Sequence, residues 1–299
     1  MPLLSLAGIF PPIPTPFKPN GDLDLDALQS NLTKLNAEPL AGYVVGGSNG
    51  EFSSLSIEEK LAVVRAARQV IPKDRLLIAG SGLESTRGTI ELTAKMAQLG
   101  ADAVLVVTPG YFRNKMTSAA LENHYTQVAN TTPLPIILYS VPANTNVDLP
   151  ASSVIKLAAH PKIIGLKDSG GDIVKIGHML AEVPADFQIV AGSAGFLLAT
   201  LVLGGVGGIM ATANIAARPL HTLYTKFQAG DVSGARAIQL PLIEVNTAVT
   251  ARFGVAGLKA AMDMLGYYGG PPRPPLLPLT EDEHETLRKI LLKGVLFTN

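Results

Sequence analysis

The sequence predicts an α/β chain folded as a (β/α)8 TIM barrel, for three reasons. Eight short apolar runs recur before residue 229, helical patterns separate them, and no Gly-x-Gly-x-x-Gly turn follows the first run, as a doubly wound dinucleotide fold would require. The runs span 8–13, 42–45, 76–79, 103–107, 136–139, 163–167, 187–191 and 206–210. Each is brief, apolar and uncharged until its end, which suits strands buried on both faces of a parallel sheet. After the first run, Leu25, Leu28, Leu32 and Leu35 recur at helical spacing. After the second, Ser56-Ile57-Glu58-Glu59 is a capping box that opens another helix.

Beyond residue 228 the alternation stops. Two helical stretches follow, around 231–250 and 254–266, then a Pro-rich connector and a last helix opened by the capping box Thr280-Glu281-Asp282-Glu283. Five prolines and two glycines between residues 269 and 279 forbid regular structure and predict a stiff strap over the barrel. The expected division is a barrel over 1–228 that carries the active site and a helical appendage over 229–299 that covers a barrel face or joins subunits.

A barrel of this type places its chemistry in the loops after the strands. That filter selects Pro14-Thr15-Pro16-Phe17, Gly46-Gly47-Ser48-Asn49-Gly50-Glu51, Gly80-Ser81-Gly82, Thr108-Pro109-Gly110-Tyr111-Phe112, Tyr139-Ser140-Val141-Pro142, Lys167-Asp168-Ser169-Gly170, Gly192-Ser193-Ala194-Gly195 and Ala211-Thr212-Ala213-Asn214. Lys167 ends an apolar run where a glycine turn begins. An amine kept partly dry loses some of its preference for the charged form and is freed to attack a carbonyl, although a snorkelling lysine at a strand end reads the same way. Tyr139 closes the preceding strand, so the two are expected side by side on the barrel wall. A tyrosine there can relay a proton when an ammonium stabilises its anion, or simply bond a loop carbonyl. The loop from Gly46 to Glu51 offers amides and hydroxyls to a carboxylate. Phosphate would want a cation that this loop lacks, and a tight structural turn is the plain alternative. Asp168 should point away from Lys167, toward the helices, and Glu51 should support its own loop. Asp172 is a further carboxylate near the turn. His124 and His178 fall within helical patterns away from the rim.

Composition narrows the partners. Lys plus Arg and Asp plus Glu are equal at 24 each, which removes the electrostatic case for nucleic acid or an anionic membrane. Charged residues are 16% against 47% hydrophobic, a balance that oligomerisation would relieve. There is no cysteine, and the five histidines show no metal-ligand spacing, so no metal site is expected. No apolar run is long enough for a membrane span. Residues 1–8 lack the arginine-rich character of a transit peptide, pointing to a cytosolic chain or to a presequence outside this sequence.

The loops Gly46-Gly47-Ser48-Asn49-Gly50-Glu51-Phe52, Tyr139-Ser140-Val141-Pro142-Ala143-Asn144-Thr145, Lys167-Asp168-Ser169-Gly170-Gly171-Asp172, Ala191-Gly192-Ser193-Ala194-Gly195-Phe196 and Gly266-Tyr267-Tyr268-Gly269-Gly270-Pro271 resemble the dihydrodipicolinate synthase and N-acetylneuraminate lyase family. The likeness covers nearly the whole chain and is greatest to the mitochondrial type of 4-hydroxy-2-oxoglutarate aldolase. It implies a class I aldolase that cleaves 4-hydroxy-2-oxoglutarate reversibly to pyruvate and glyoxylate without a cofactor. Lys167 would form the Schiff base, and Tyr139 and Ser48 would relay protons with Tyr111 donated by an adjacent subunit. Gly47, Ser48 and Asn49 would hold the 2-oxo acid carboxylate, with Ser169, Ser193 and Asn144 toward its far end. A homotetramer and the mitochondrial matrix are also implied. Dihydrodipicolinate synthases carry an arginine where this chain has Asn144, which demotes synthase activity, and Arg113 is a candidate partner for a distal carboxylate. The alternatives are an aldolase for another 2-oxo-3-deoxy sugar acid, the synthase itself, or a 2-oxo acid sensor.

Overall fold

The computed structural model describes residues 4–294, so Met1–Leu3, part of the segment read for a leader, and residues 295–299 of the appendage lie outside it. Eight parallel strands form the barrel: β1 (Gly8–Phe10), β2 (Gly42–Val45), β3 (Leu76–Gly80), β4 (Ala103–Val107), β5 (Ile136–Ser140), β6 (Ile163–Asp168), β7 (Gln188–Ala191) and β8 (Gly207–Ile209). Helices α1 (Leu25–Leu35), α2 (Ile57–Val70), α3 (Thr86–Gln98), α4 (Ser118–Thr131), the short turns α5 (Pro142–Thr145) and α6 (Ala151–Leu157), α7 (Ile173–Glu182), α8 (Leu197–Val202) and α9 (Ala217–Gln228) lie between and after them. The sheet runs β1-β8-β7-β6-β5-β4-β3-β2. It closes through Ala41 N–H to the Ile9 carbonyl at 3.0 Å and Ile13 N–H to the Val44 carbonyl at 2.8 Å. The first strand is shorter than the run 8–13 suggests because Pro11 and Pro12 have no N–H to give to a ladder. The capping box expected at Ser56 is formed, with Glu59 as its partner.

Side-chain alternation divides the apolar residues into two layers. Phe10, Val44, Ile78, Leu105, Ile137, Val190 and Ile209 fill the barrel interior, while Val104, Val106, Ile136, Leu138, Leu166 and Ile189 pack outward against helices. In β6 the alternation is interrupted once. Ile163 pairs with Ile136, but Gly165 pairs with Ile137, so one extra residue bulges between them. Ile163 and Leu166 therefore both face the helices, and Lys167 faces inward beside Tyr139. In a regular strand starting from an outward Ile163, Lys167 would point outward too.

The C-terminal helices α10 (Val232–Thr247), α11 (Gly254–Met264) and α12 (Glu281–Gly294) bury Val245, Leu258, Met262 and Leu287 together with Ala211 and Ile215 from the loop after β8. The expected helix 231–250 stops at Thr247 and widens into a π-helical turn, Ala248–Arg252, at the barrel mouth. The last helix starts at its predicted cap, with Glu283 N–H donating to Thr280 Oγ1.

His124 is a buried residue of α4 whose Nδ1 is 2.9 Å from Thr86 Oγ1 of α3, and its Nε2 has no partner among the described residues. Burial, only partly opposed by Glu84, lowers its pKa to about 4. The unfolded chain then binds the extra proton between pH ~6.5 and about 4, so the stability this histidine contributes is present above ~6.5 and lost as pH falls through that window. Thermal unfolding midpoints should therefore drop between pH 7 and pH 5, and by less in His124→Asn than in the parent. Equal drops would show that another group sets the acid response.

Candidate active site

The bulged β6 delivers Lys167 to the carboxyl end of the barrel at 3% exposure. Tyr139 is its direct partner in the β5–β6 register, and the Lys167 Nζ stands 4.2 Å from the centre of the Tyr139 ring. That nitrogen makes no hydrogen bond or ion pair with a described residue. The Tyr139 hydroxyl lies 3.2 Å from the Ser48 hydroxyl. These three side chains, each on a different strand end, open onto one cavity of about 400 Å³. An amine, a phenol and a second hydroxyl in sequence can carry out carbonyl addition and proton transfer at one carbon.

The loop beneath that cavity is held by close backbone approach and by a buried ion pair. Gly46 adopts φ +66°, and a side chain at Gly80 would lie 2.0 Å from the Gly46 carbonyl oxygen, so these two glycines let β2 and β3 meet at the rim. The Thr15 hydroxyl donates to the Gly50 carbonyl at 2.7 Å. Glu51, a non-glycine residue at φ +53°, ends the loop with its carboxylate paired to Lys259 of α11, the two side chains being 2% and 1% exposed. Burial pushes the Lys259 ammonium below the usual lysine range, and Glu51 draws it back up. Glu51 also accepts the Arg273 N–H at 2.8 Å, while the Arg273 guanidinium grips Glu59 with two hydrogen bonds. The Pro-rich strap and α11 thus brace the ligand loop, as expected for Glu51. The backbone N–H groups of Ser48 and Asn49 are left without an acceptor among the described residues.

Most of the residues selected from the sequence converge here. Asn49, Asn144, Ser169 and Ser193 line the cavity with Lys167, Tyr139 and Ser48, and Gly47 borders a small adjoining void under Tyr139. Gly192 makes room for Ser169, whose hydroxyl would stand 2.0 Å from any Cβ at that position. Tyr111 does not reach the cavity of its own chain. It is 80% exposed and packs edge-on against Phe112, 5.0 Å between ring centres. Arg113, exposed in the same loop, does not line that cavity either. Asp168 points away from Lys167, accepts N–H bonds from Gly170 and Gly171, and meets Lys175 at 3.4 Å. Asp172 caps α7. The sequence reading missed the far wall, where Asn246, Val249 and Thr250 of the C-terminal segment close the cavity. The available signal was a lone asparagine on the helix face that also carries Leu242, Val245 and Val249.

Among the described residues no group of three or more His, Cys, Asp or Glu side chains is arranged to hold a metal ion, and no helix is long and apolar enough to cross a membrane. The barrel with a buried lysine and tyrosine at its carboxyl rim defines a Schiff-base type of site. The Dihydrodipicolinate synthetase family matches residues 5–293. Relatives named 4-hydroxy-tetrahydrodipicolinate synthase are 34% identical in Ralstonia nicotianae, over 97% of this chain and 98% of theirs, and 36% identical in Nitrosospira multiformis, over 96% and 95%. The solved dihydrodipicolinate synthase of Bacillus anthracis superposes with a TM-score of 0.93 at 31% identity, covering 97% of this chain and 98% of that one. The chloride-inhibited enzyme of Acinetobacter baumannii, complexed with pyruvate, gives 0.92 at 32%, covering 97% and 99%. The chain belongs to the dihydrodipicolinate synthetase family. It is an enzyme of the lyase and aldolase class, and members of its family use a Schiff-base lysine, act on small 2-oxo acids and are usually oligomeric. The narrower aldolase identity expected from the loops finds no counterpart among these relatives' names, which are those of the synthase.

Two substitutions separate chemistry from support. Tyr139→Phe keeps the ring beside Lys167 and removes the hydroxyl, so kcat should fall about 10²–10⁴-fold while a 2-oxo acid still forms its adduct. Unchanged kcat would remove Tyr139 from the proton path. Lys259→Met strands Glu51 in the core, and chemical denaturation should show a loss of roughly 3–5 kcal/mol. A loss under about 1 kcal/mol would show that the pair is not what holds the loop.

Proposed function

We propose that this enzyme is a pyruvate-dependent aldolase that cleaves 4-hydroxy-2-oxoglutarate to pyruvate and glyoxylate, and runs in reverse. The observation that carries the reading is the contact of Lys167, Tyr139 and Ser48 in one cavity that, among the described residues, no arginine lines. The C1 carboxylate rests on the free amides and side chains of Ser48 and Asn49. Lys167 Nζ adds to the C2 ketone, and loss of water leaves a protonated imine. The hydroxyl of Tyr139 takes the proton from the C4 hydroxyl as the C3–C4 electron pair moves into the imine, and glyoxylate departs. The enamine takes a proton at C3, and water then hydrolyses the imine to release pyruvate and free Lys167.

Ser48 passes the proton onward, and Tyr111 of an adjacent subunit completes the relay in a homotetramer. Its exposure on the β4 loop leaves the ring free to serve a neighbouring site. Ser169, Ser193 and Asn144 face the distal half of the substrate. Resemblance to the mitochondrial aldolases supports action in the matrix. A second reading, 4-hydroxy-tetrahydrodipicolinate synthase, is favoured by the names of the relatives. Against it stands Asn144 where the synthases hold a carboxylate with arginine, since an amide cannot supply a charged bidentate contact.

Condensation with pyruvate distinguishes the two. Glyoxylate should be consumed with at least about tenfold higher kcat/KM than aspartate semialdehyde, the margin expected from one charge-assisted contact, and Asn144→Arg should narrow the gap. Preference for aspartate semialdehyde would establish the synthase reading instead.

A further inference from the structure

Asn246 of α10 places an unused amide in the wall of the catalytic cavity. The residue is 6% exposed and lines the same space as Lys167. Chemistry fixes the orientation of its carboxamide. The Ala194 backbone N–H, which can only donate, lies 3.2 Å from Oδ1, and the Thr212 hydroxyl donates to the same oxygen at 3.1 Å. Nδ2 therefore takes the other branch, and it has no acceptor among the described residues. It lies beside Gly195, where an added Cβ would be 3.4 Å from Nδ2 and 3.5 Å from the Ser193 hydroxyl. An amide nitrogen without an acceptor, on a residue of the cavity wall, offers its hydrogens to a bound acceptor.

The rest of the wall indicates what that acceptor is. Ser169, Ser193 and Asn144 add neutral polar groups, and among the described residues no carboxylate side chain lines the cavity to compete for them. Apart from Lys167, which is committed to the ketone, no cation lines it either. We infer that Asn246 Nδ2 donates to the second carboxylate of a dicarboxylic 2-oxo acid whose ketone carbon is bound to Lys167. Asn246 is then a specificity-determining residue supplied by the C-terminal segment. The inference rests on the Schiff-base reading above and adds recognition of the far end of the substrate.

The test uses borohydride trapping, read by intact mass, with pyruvate, 2-oxoglutarate and 2-oxopentanoate, the last two differing at C5 by a carboxylate against a methyl group. The parent enzyme should half-saturate at a lower concentration of 2-oxoglutarate than of 2-oxopentanoate. Asn246→Asp, which keeps Oδ1 and turns the donor into an anion, should shrink that preference about tenfold or more, and Asn246→Ser should shrink it less. Pyruvate trapping in each variant is the reference against which the ratio is read, and circular dichroism verifies that the variant is folded. If the Asp variant loses pyruvate trapping, the Ser variant carries the comparison. An unaltered ratio in a variant that traps pyruvate normally overturns the role of Asn246 alone. Absence of any adduct in the parent overturns the Schiff-base reading, and this inference with it.

Discussion

The site depends on the one-residue bulge in β6. Strand alternation alone would send Lys167 to the same side as Ile163, into the layer between sheet and helices. The register shift beside Ile136 and Ile137 reverses the phase, so the amine enters the interior at the level of Tyr139. The same reversal sends Asp168 outward, where it anchors the turn after Lys167 through Gly170, Gly171 and Lys175. One local irregularity thus keeps the nucleophile away from its adjacent carboxylate and delivers it beside a phenol.

What surrounds that lysine is arranged to hold a ligand rather than to neutralise the amine. In the proposed function the glycine loop bears the ligand, and its position is not set by the barrel alone. Glu51 is tied to Lys259 and to the backbone of Arg273, and both of these cations stand over Phe17, at 4.4 and 4.3 Å from its ring centre. Burying such a pair gains little stability by itself, because each ion forfeits several kcal/mol of hydration. Its effect is geometric, since a Glu51 without Lys259 has no other cation so close in the core. The C-terminal segment therefore contributes twice, bracing the near wall through Lys259 and Arg273 and forming the far wall through Asn246 and Thr250.

The barrel was legible because the period of its elements is written in local residue types. Buried parallel strands show as uncharged runs, and helix starts show as Ser56 and Thr280 with their glutamates. One rule, that chemistry lies after the strands, selects the loops that carry Lys167, Tyr139, Ser48, Asn49, Ser169 and Ser193, while Asn144 comes from the family resemblance, and all seven line one cavity. Two features were not legible. The bulge at Ile164 leaves no mark in a run of apolar residues, because Ile163, Ile164 and Leu166 suit either face. Pro11 and Pro12, by contrast, mark the early end of β1, since neither has an N–H for the ladder. Asn246 and Lys259 lie in helices whose pattern shows only that one face is buried. What they meet there is decided by contacts distant along the chain, Glu51 for Lys259 and Ala194 and Thr212 for Asn246.

The central claim is that Lys167, and no other lysine, becomes covalently bound to a 2-oxo acid. Reduction with borohydride in the presence of pyruvate, followed by proteolysis and peptide mass mapping, tests it directly. The account predicts one adduct per chain, on the peptide containing Lys167, and none in Lys167→Ala. An adduct on a different lysine, or turnover of a 2-oxo acid by Lys167→Ala at the parent rate, would contradict it.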